Sequence, residues 1–569
     1  MPERPNQPRG ATGVASDAAI ERDRRRLAAA ADLPAAQRLG VYLGLSGPGW
    51  LQSAITLGGG SLAGSLYLGV LGGYSLLWLQ PVAMLLGVVM LGVIGYVTLS
   101  TGQRPLAAIN THVSPVLGWG WAVAVAVANV IWCMPQHSIA YAVLSQNLLP
   151  AHWFGAESGI DKAVVAGVLL AVCTLVTWGY DRGGAGLRLY EAMLKAVVGV
   201  IVLCFVGVVV RLSFSAEPLD WGAIGAGLVP DARQFFRPAA AFVPLLDAVG
   251  PAGTPARDFW TGYIVGQQRD VIVAAAATAV GINMTFMYPY SMLRKGWTKE
   301  FRGLARFDLA TGMLLPFILA TGCVVIASAT RFHAELPEGF RYESGRLVAE
   351  PDGPKLRAMQ AILDVRNAAL PAAGAERPQV SDAERRLAAV LIKRDALDLA
   401  AALEPLTGPR IANVVFGLGV LAMVLSTISA LMLMSGAVIA EMLGQPPGGL
   451  THKAGTLVAG LGGVLWPLFW AGGSRLYLAV VTSVFGFMLL PFAYVSFVAL
   501  LNSKRLLGGE APRGATRLAA NAAAGLAAGL ATVGAVYMIW VKAGWAGAAA
   551  LGGFALLVIL VAAGKRSRG

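Results

Sequence analysis

Two stretches of this sequence place conformationally free and hydrogen-bonding residues inside runs that are otherwise apolar. One reads Gly47-Pro48-Gly49-Trp50-Leu51-Gln52-Ser53-Ala54-Ile55-Thr56-Leu57-Gly58-Gly59-Gly60-Ser61, with three consecutive glycines near its middle. The other reads Gly281-Ile282-Asn283-Met284-Thr285-Phe286-Met287-Tyr288-Pro289-Tyr290-Ser291. There Pro289 removes a backbone N–H and crowds the preceding turn, so a helix is expected to kink or break. Backbone that leaves the helix at bilayer depth persists only where it lines a cavity or is packed in protein, because lipid satisfies no amide or carbonyl. The chemistry open to these residues is binding: hydroxyls, aromatic rings and bare backbone hold a solute. No G-x-S-x-G, H-E-x-x-H or Walker sequence accompanies the apolar runs, so neither an enzyme nor a cofactor is expected.

Gly58, Gly59, Gly60 and Gly64 also suit a small-residue face for packing one helix on another. What separates the two readings is the second interruption, five spans later at the matching position of a second five-span half. Paired interruptions of this kind point to an inverted-repeat transporter with its substrate at the midplane.

The elements that must position these residues follow from composition. The chain has 569 residues, 56% hydrophobic and only 13% charged, against about a quarter charged in soluble domains. It is an all-α polytopic membrane protein. Apolar runs of roughly 20 residues, long enough to cross the hydrocarbon core, recur near 42–70, 75–98, 116–144, 163–179, 189–211, 269–292, 305–329, 411–441, 455–472, 476–500, 518–540 and 545–563. That makes twelve expected spans. Cys133, Cys173, Cys204 and Cys323 all fall within these runs, without the spacing of a zinc site or disulfide framework, and read as small buried hydrophobes.

A net charge of +13 would suggest nucleic acid in a soluble chain; here it gathers in short loops. With the N-terminus cytoplasmic, the inside segments hold about 23 Lys and Arg and the short outside loops about three. Both termini are therefore expected in the cytoplasm of a multi-pass cell-membrane protein. Its expected partners are the bilayer and a transported ion or small solute, with no nucleic acid; no oligomeric state follows. Residues 1–41 read as a disordered cytoplasmic tail, 42–211 as the first half with spans one to five, and 212–268 as an extracytoplasmic loop. Residues 269–500 form the second half with an extracytoplasmic insertion at 331–409, and 501–569 hold the last two spans and the cytoplasmic C-terminus. The amphipathic stretch Asp382–Leu403 looks helical. Neither outer segment has a Cys/His cluster or nucleophile motif, so both read as lids or spacers, with gating or partner binding as the alternative.

The residues resemble those of the Nramp family of proton-coupled divalent-metal transporters. The resemblance is carried by Gly47-Pro48 followed eleven residues later by a helix break, by Tyr74-Ser75-Leu76-Leu77-Trp78, Met287-Tyr288-Pro289-Tyr290 and Ser426-Thr427-Ile428, and by Leu490-Pro491-Phe492-Ala493. It implies a LeuT-type fold of two inverted five-helix repeats, here with two further helices. The family's first-helix Asp-Pro-Gly-Asn falls on Gly58, Gly59, Gly60 and Ser61. Its Met-Pro-His falls on Tyr288, Pro289 and Tyr290, and its tenth-helix glutamine on Ser483. The acidic pair of the third helix becomes Pro135 and Ser138. Carboxylate, amide, thioether and imidazole ligands are thus replaced, and no metal ligand set is assigned.

A dehydrated transition-metal ion needs compensating ligands, usually including an anionic oxygen. The expected substrate residues, Gly58, Gly59, Gly60, Ser61, Thr285, Tyr288, Tyr290 and Ser483, instead form a neutral pocket. Such a pocket suits a divalent cation that keeps its water, as Mg²⁺ does. A small organic solute and a transport-inactive receptor or scaffold of the same fold are the alternatives. His137 is the nearest titratable group, either a helix-packing histidine or a proton relay. Glu191 and Lys195 read as an i,i+4 pair near the cytoplasmic interface.

The orientation predicts that, in an otherwise Cys-free protein, Arg385→Cys reacts with an impermeant thiol reagent outside sealed cells while Glu300→Cys stays protected. The reverse pattern would invert the topology.

Overall fold

Helix satisfies every backbone group within its own segment, and the computed structural model is helical in all these apolar runs where it is described. It describes residues 17–150, 153–154, 159–181, 218–343, 346–349, 353–370, 379–401, 409–470 and 474–566, with scattered positions from 196 to 214. Among the described residues eight helices are long and apolar enough to span a membrane, or nine when one bent pair is counted as a span. The expected span at 189–211, with Cys204, Glu191 and Lys195, falls largely outside the described residues.

The helices that position the site are α1 (Asp17–Ala29), α2 (Ala35–Leu45), α3 (Pro48–Thr56), α4 (Gly59–Gly72), α5 (Leu79–Thr101), α6 (Pro115–Val143) and α7 (Gly159–Asp181). After them come α8 (Pro255–Ala279), α9 (Ile282–Arg294), α10 (Arg302–Leu309) and α11 (Leu315–Phe332). The insertion between the seventh and eighth expected spans holds the hairpin β1 (Phe340–Glu343) and β2 (Arg346–Ala349), paired antiparallel with Phe340 opposite Ala349, then α12 (Pro354–Ala369), α13 (Asp382–Val390) and α14 (Ala396–Ala401). The chain continues as α15 (Pro409–Met442), α16 (Leu450–Val464), α17 (Tyr477–Leu501) and α18 (Gly514–Arg566).

Four features differ from the sequence expectation. The region read as a disordered tail contains α1 and α2, and α1 is held to the loop after α9 by Arg24 to Glu300 at 3.0 Å and by Ile20 seated over Gly296. The sixth span begins at Pro255 rather than near 269, so the outer loop is shorter. Pro289 lies within a continuous α9; the break comes earlier, at Val280 and Gly281. The helix expected over Asp382–Leu403 is interrupted between α13 and α14.

The last two expected spans form one helical run that turns at Gly544, whose φ of 52° favours glycine. Gly534 lies against Phe487. Phe554, twenty residues on, stacks edge-on to Phe492 at 5.0 Å, nearer the end of α17 than Phe487. The chain therefore runs back along α17 after Gly544.

The start of the first span is fixed by a buried carboxylate. Asp308 of α10 accepts hydrogen bonds from the Gly47 amide at 3.2 Å and the Gly49 amide at 2.6 Å, satisfying amides that the first turn of α3 leaves without helical partners. Approach is so close that a Cβ on Gly49 would lie 2.4 Å from the Asp308 carbonyl oxygen. Gly49→Ala should therefore displace the α3 terminus and cost about 1–2 kcal/mol, the range of a lost cap, seen as a lower melting temperature in detergent. Gly92→Ala, with open space around its Cβ, should leave the melting temperature unchanged or slightly raised.

Candidate functional site

Three consecutive glycines let the first span stop and restart inside the protein. α3 ends at Leu57, Gly58 is extended at φ −91° and ψ −178°, and α4 resumes at Gly59, bent by 52° from α3. Glycine is required there by space rather than by backbone conformation. A Cβ on Gly58 would lie 2.7 Å from Thr427 Oγ1, and one on Gly59 2.5 Å from Ile139 Cδ1 and 2.8 Å from Gln136 Oε1. The freed backbone groups find side-chain partners. The Gly59 amide donates to Gln136 Oε1 at 3.2 Å, Ser61 Oγ donates to the Thr56 carbonyl, and Thr427 Oγ1 donates to the Ala54 carbonyl at 3.4 Å.

The second break faces the first. Gly281 is extended at φ −77° and ψ 160° between α8 and α9, and a Cβ there would lie 2.6 Å from the Trp132 ring. Its amide donates to the Met284 sulfur at 3.3 Å, and Thr56 Oγ1 donates to the same sulfur at 3.4 Å, joining the two breaks. Asn283 is fully buried, and its amide oxygen and nitrogen meet no partner among the described residues.

Between the breaks lies a cavity of about 50 Å³, lined by Thr56, Gly60, Ser61, Gln136, Thr278, Asn283, Met284, Thr427, Thr482 and Ser483 together with Trp132, Pro135 and aliphatic groups. At roughly 10–15 Å³ per water that is room for a few waters or one small partly hydrated ion. The carboxyl ends of α3 and α8 and the amino ends of α4 and α9 meet there, so carbonyls and amides both border the space. No carboxylate or imidazole lines it, and no group of three or more His, Cys, Asp or Glu gathers among the described residues.

Of the residues expected at the site, Gly60, Ser61 and Ser483 line the cavity, while Gly58 and Gly59 form its first break. Thr285, Tyr288 and Tyr290 lie elsewhere. Thr285 Oγ1 accepts from Trp121 Nε1 at 2.9 Å, Tyr288 donates to the Ala305 carbonyl at 3.1 Å, and the Tyr290 ring stacks on Phe286 with centroids 4.2 Å apart. The reason is the position of the break: with α9 starting at Ile282, residues near Pro289 are about two turns down a regular helix. His137 is buried with Nδ1 2.9 Å from the Cys133 carbonyl and does not line the cavity. The lining residues with polar or thioether side chains that were missed are Thr56, Gln136, Thr278, Asn283, Met284, Thr427 and Thr482. Met284 also restores a thioether that the alignment through Pro289 had removed.

A family model described as natural resistance-associated macrophage protein-like matches residues 49–344 and 386–540. The chain belongs to the Nramp family. Structures of a manganese transporter of Eremococcus coleocola are similar to this Nramp chain. One, in complex with an aromatic bis-isothiourea substituted compound, has a TM-score of 0.59 at 16% identity, covering 92% of this chain and 94% of that one. A mutant of the same transporter gives 0.59 at 15% identity over the same shares. These likenesses establish the fold. A metal transporter of Populus trichocarpa, Nramp3.2, is 28% identical over 160 residues, 28% of this chain and 30% of that protein, so the match spans under a third of that relative.

Gly59→Leu should abolish solute uptake into proteoliposomes, since even its Cβ overlaps Ile139 and Gln136. Gly60→Ala, whose Cβ meets Thr278 at 3.2 Å and Ser483 at 3.6 Å, should reduce uptake without abolishing it.

Proposed function

We propose that this Nramp protein moves a divalent metal cation across the membrane with part of its water shell retained, Mg²⁺ being the ion that best suits such a site. The observation that carries this reading is the cavity at the two helix breaks, lined by neutral oxygens and no carboxylate. A strongly hydrated ion loses little by meeting Thr56, Gln136, Asn283 and Thr427 through its own waters. Carbonyls at the carboxyl ends of α3 and α8 supply the negative potential that an absent acid would otherwise give. A single thioether already accepting two hydrogen bonds is a poor substitute for the anionic ligand that a stripped Mn²⁺ or Fe²⁺ needs.

The amino ends of α4 and α9 border the same space, and that observation favours a second reading: a small solute whose carboxylate lies against those amides. Family membership and a cavity at the two helix breaks support a transporter over a scaffold.

Coupling follows from the same residues. A proton-driven cycle needs a titrating group that exchanges protons as the cargo moves. Pro135 lines the cavity and carries no proton; Ser138 donates to the Arg475 carbonyl at 3.4 Å; His137 faces away. Transport is therefore driven by the cation's own gradient and the membrane potential, which supplies about 4.6 kcal/mol per 100 mV to a divalent ion.

The test is Mg²⁺ uptake into proteoliposomes with an imposed valinomycin potential and an internal pH dye. Uptake should rise with inside-negative potential, without internal acidification. Calorimetry should show no micromolar Mn²⁺ binding. Acidification that requires Mg²⁺ and disappears in His137→Ala would refute uncoupled transport, and absence of any flux would return the protein to the scaffold reading.

A further inference from the structure

The outer insertion sends one short segment down into the membrane domain. Between α13 and α14, Leu391, Ile392 and Arg394 are buried, although three of the five residues from Leu391 to Asp395 are charged. The segment is fastened by its backbone: the Arg394 carbonyl accepts from Tyr67 at 2.6 Å and from Ser474 Oγ at 2.7 Å. Arg394 Nη2 donates to the Glu335 carbonyl at 2.6 Å, and Asp395 accepts from Gln146 at 3.0 Å.

Lys393 points inward from this segment. Its Nζ donates to Gln267 Oε1, which also accepts from Tyr477 at 2.9 Å. Nζ lies 4.1 Å from the centre of the Tyr477 ring and 5.9 Å from that of Tyr67, and the two rings meet edge to face at 5.2 Å. Tyr67, Gln267 and Tyr477 belong to α4, α8 and α17, three of the helices that wall the cavity. Counted along those helices, Ser61, Thr278 and Ser483 lie six, eleven and six residues deeper, roughly 9–16 Å at 1.5 Å per residue. Lys393 thus sits across three helices that each reach the cavity two to three turns further along.

We propose that the segment Leu391–Asp395 is the outer gate of this cavity and that charging Lys393 opens it. Lys393 forms no ion pair among the described residues. The charged and titratable groups that face it are Tyr67 from α4, Tyr477 from α17 and Asp270 from α8, and the Asp270 carboxylate is taken by Lys542 at 2.8 Å. Lys393 as a whole is only half-buried, but its amine is enclosed, and burial lowers its pKa to about 7, opposed weakly by Asp270. An opened gate returns the amine to water, where its pKa is about 10.4.

The sign follows. The open state binds the proton more tightly than the closed state, so the closed gate is most stable above about pH 10.4 and loses stability as the pH falls toward about 7, levelling off below that. Protons exchange with the outer solution alone, so external pH sets the opening without protons crossing the membrane. This rests on the reading of the cavity as the transport path but on no particular solute. Residues 345–385 of the insertion lie outside the family match, whereas Leu391–Asp395 fall within it.

The test uses full-length protein in proteoliposomes, Cys-free except for Ser483→Cys, with an impermeant cationic thiosulfonate added outside. Rates are divided by those of the same thiol in the unfolded protein, in urea and SDS, which removes the reagent's own pH dependence. Corrected labelling should rise as external pH falls from 9 to 7, by up to about tenfold per unit. Lys393→Met should label slowly and Lys393→Arg at least tenfold faster, both without pH dependence, because an apolar chain never charges and a guanidinium never discharges. The proposal is overturned if the unmodified gate shows no pH dependence, or if Lys393→Met keeps it. Magnesium flux measured on vesicles of the protein with Ser483 intact separates the two claims, because flux there with pH-independent labelling of Ser483→Cys removes the gate and leaves the transporter.

Discussion

A helix interrupted inside hydrocarbon leaves amides and carbonyls that lipid cannot satisfy, and the rest of this molecule is arranged around two such interruptions. At Leu57–Gly58 and at Val280–Gly281 the orphaned groups are turned toward each other rather than toward the bilayer. Gln136 of α6 and Thr427 of α15 reach in to bond the first break, and the Met284 sulfur accepts a hydrogen bond from each side. The cavity is what remains when those demands have been met without a carboxylate. Its neutrality and its small volume both follow from the residues that keep the breaks satisfied.

The ends of the same broken helices carry the closures. At one end Asp308 holds the first turn of α3 through the amides of Gly47 and Gly49, so moving α3 exposes a buried carboxylate and costs energy. At the other end α4, α8 and α17 grip the segment around Lys393. Each closure is polar and buried, which makes it a two-state contact rather than a continuously deformable one. Alternating access needs contacts of that kind on both sides of a fixed site.

Fold class and membrane character were legible because spans write themselves into hydropathy, and three successive glycines announced the first break. The second break was obscured. Gly281 stands alone, while Pro289 lies in a stretch that tolerates proline within a regular helix, and so Thr285 falls about one turn, and Tyr288 and Tyr290 about two turns or more, beyond the break. Asn283 carried a usable signal, an amide within an apolar run, as did Gln136. Thr427 and Met284 carried little, because hydroxyls and thioethers are ordinary in membrane helices. Lys393 was hidden by periodicity: the amphipathic pattern of Asp382–Leu403 runs through a segment that tertiary contacts with Tyr67 and Tyr477 pull out of the helix.

The central claim is that the cation is held through its waters by neutral groups at the two breaks. Crystals equilibrated with millimolar Mn²⁺ as a stand-in for Mg²⁺, measured at an anomalous wavelength, test it most directly. The account predicts an anomalous peak between Thr56, Gln136, Asn283 and Thr427, about 4 Å from their oxygens, with water between, since direct ligation would place it near 2.1 Å. A peak in direct contact with the Met284 sulfur, or a metal found only outside this cavity, would contradict it.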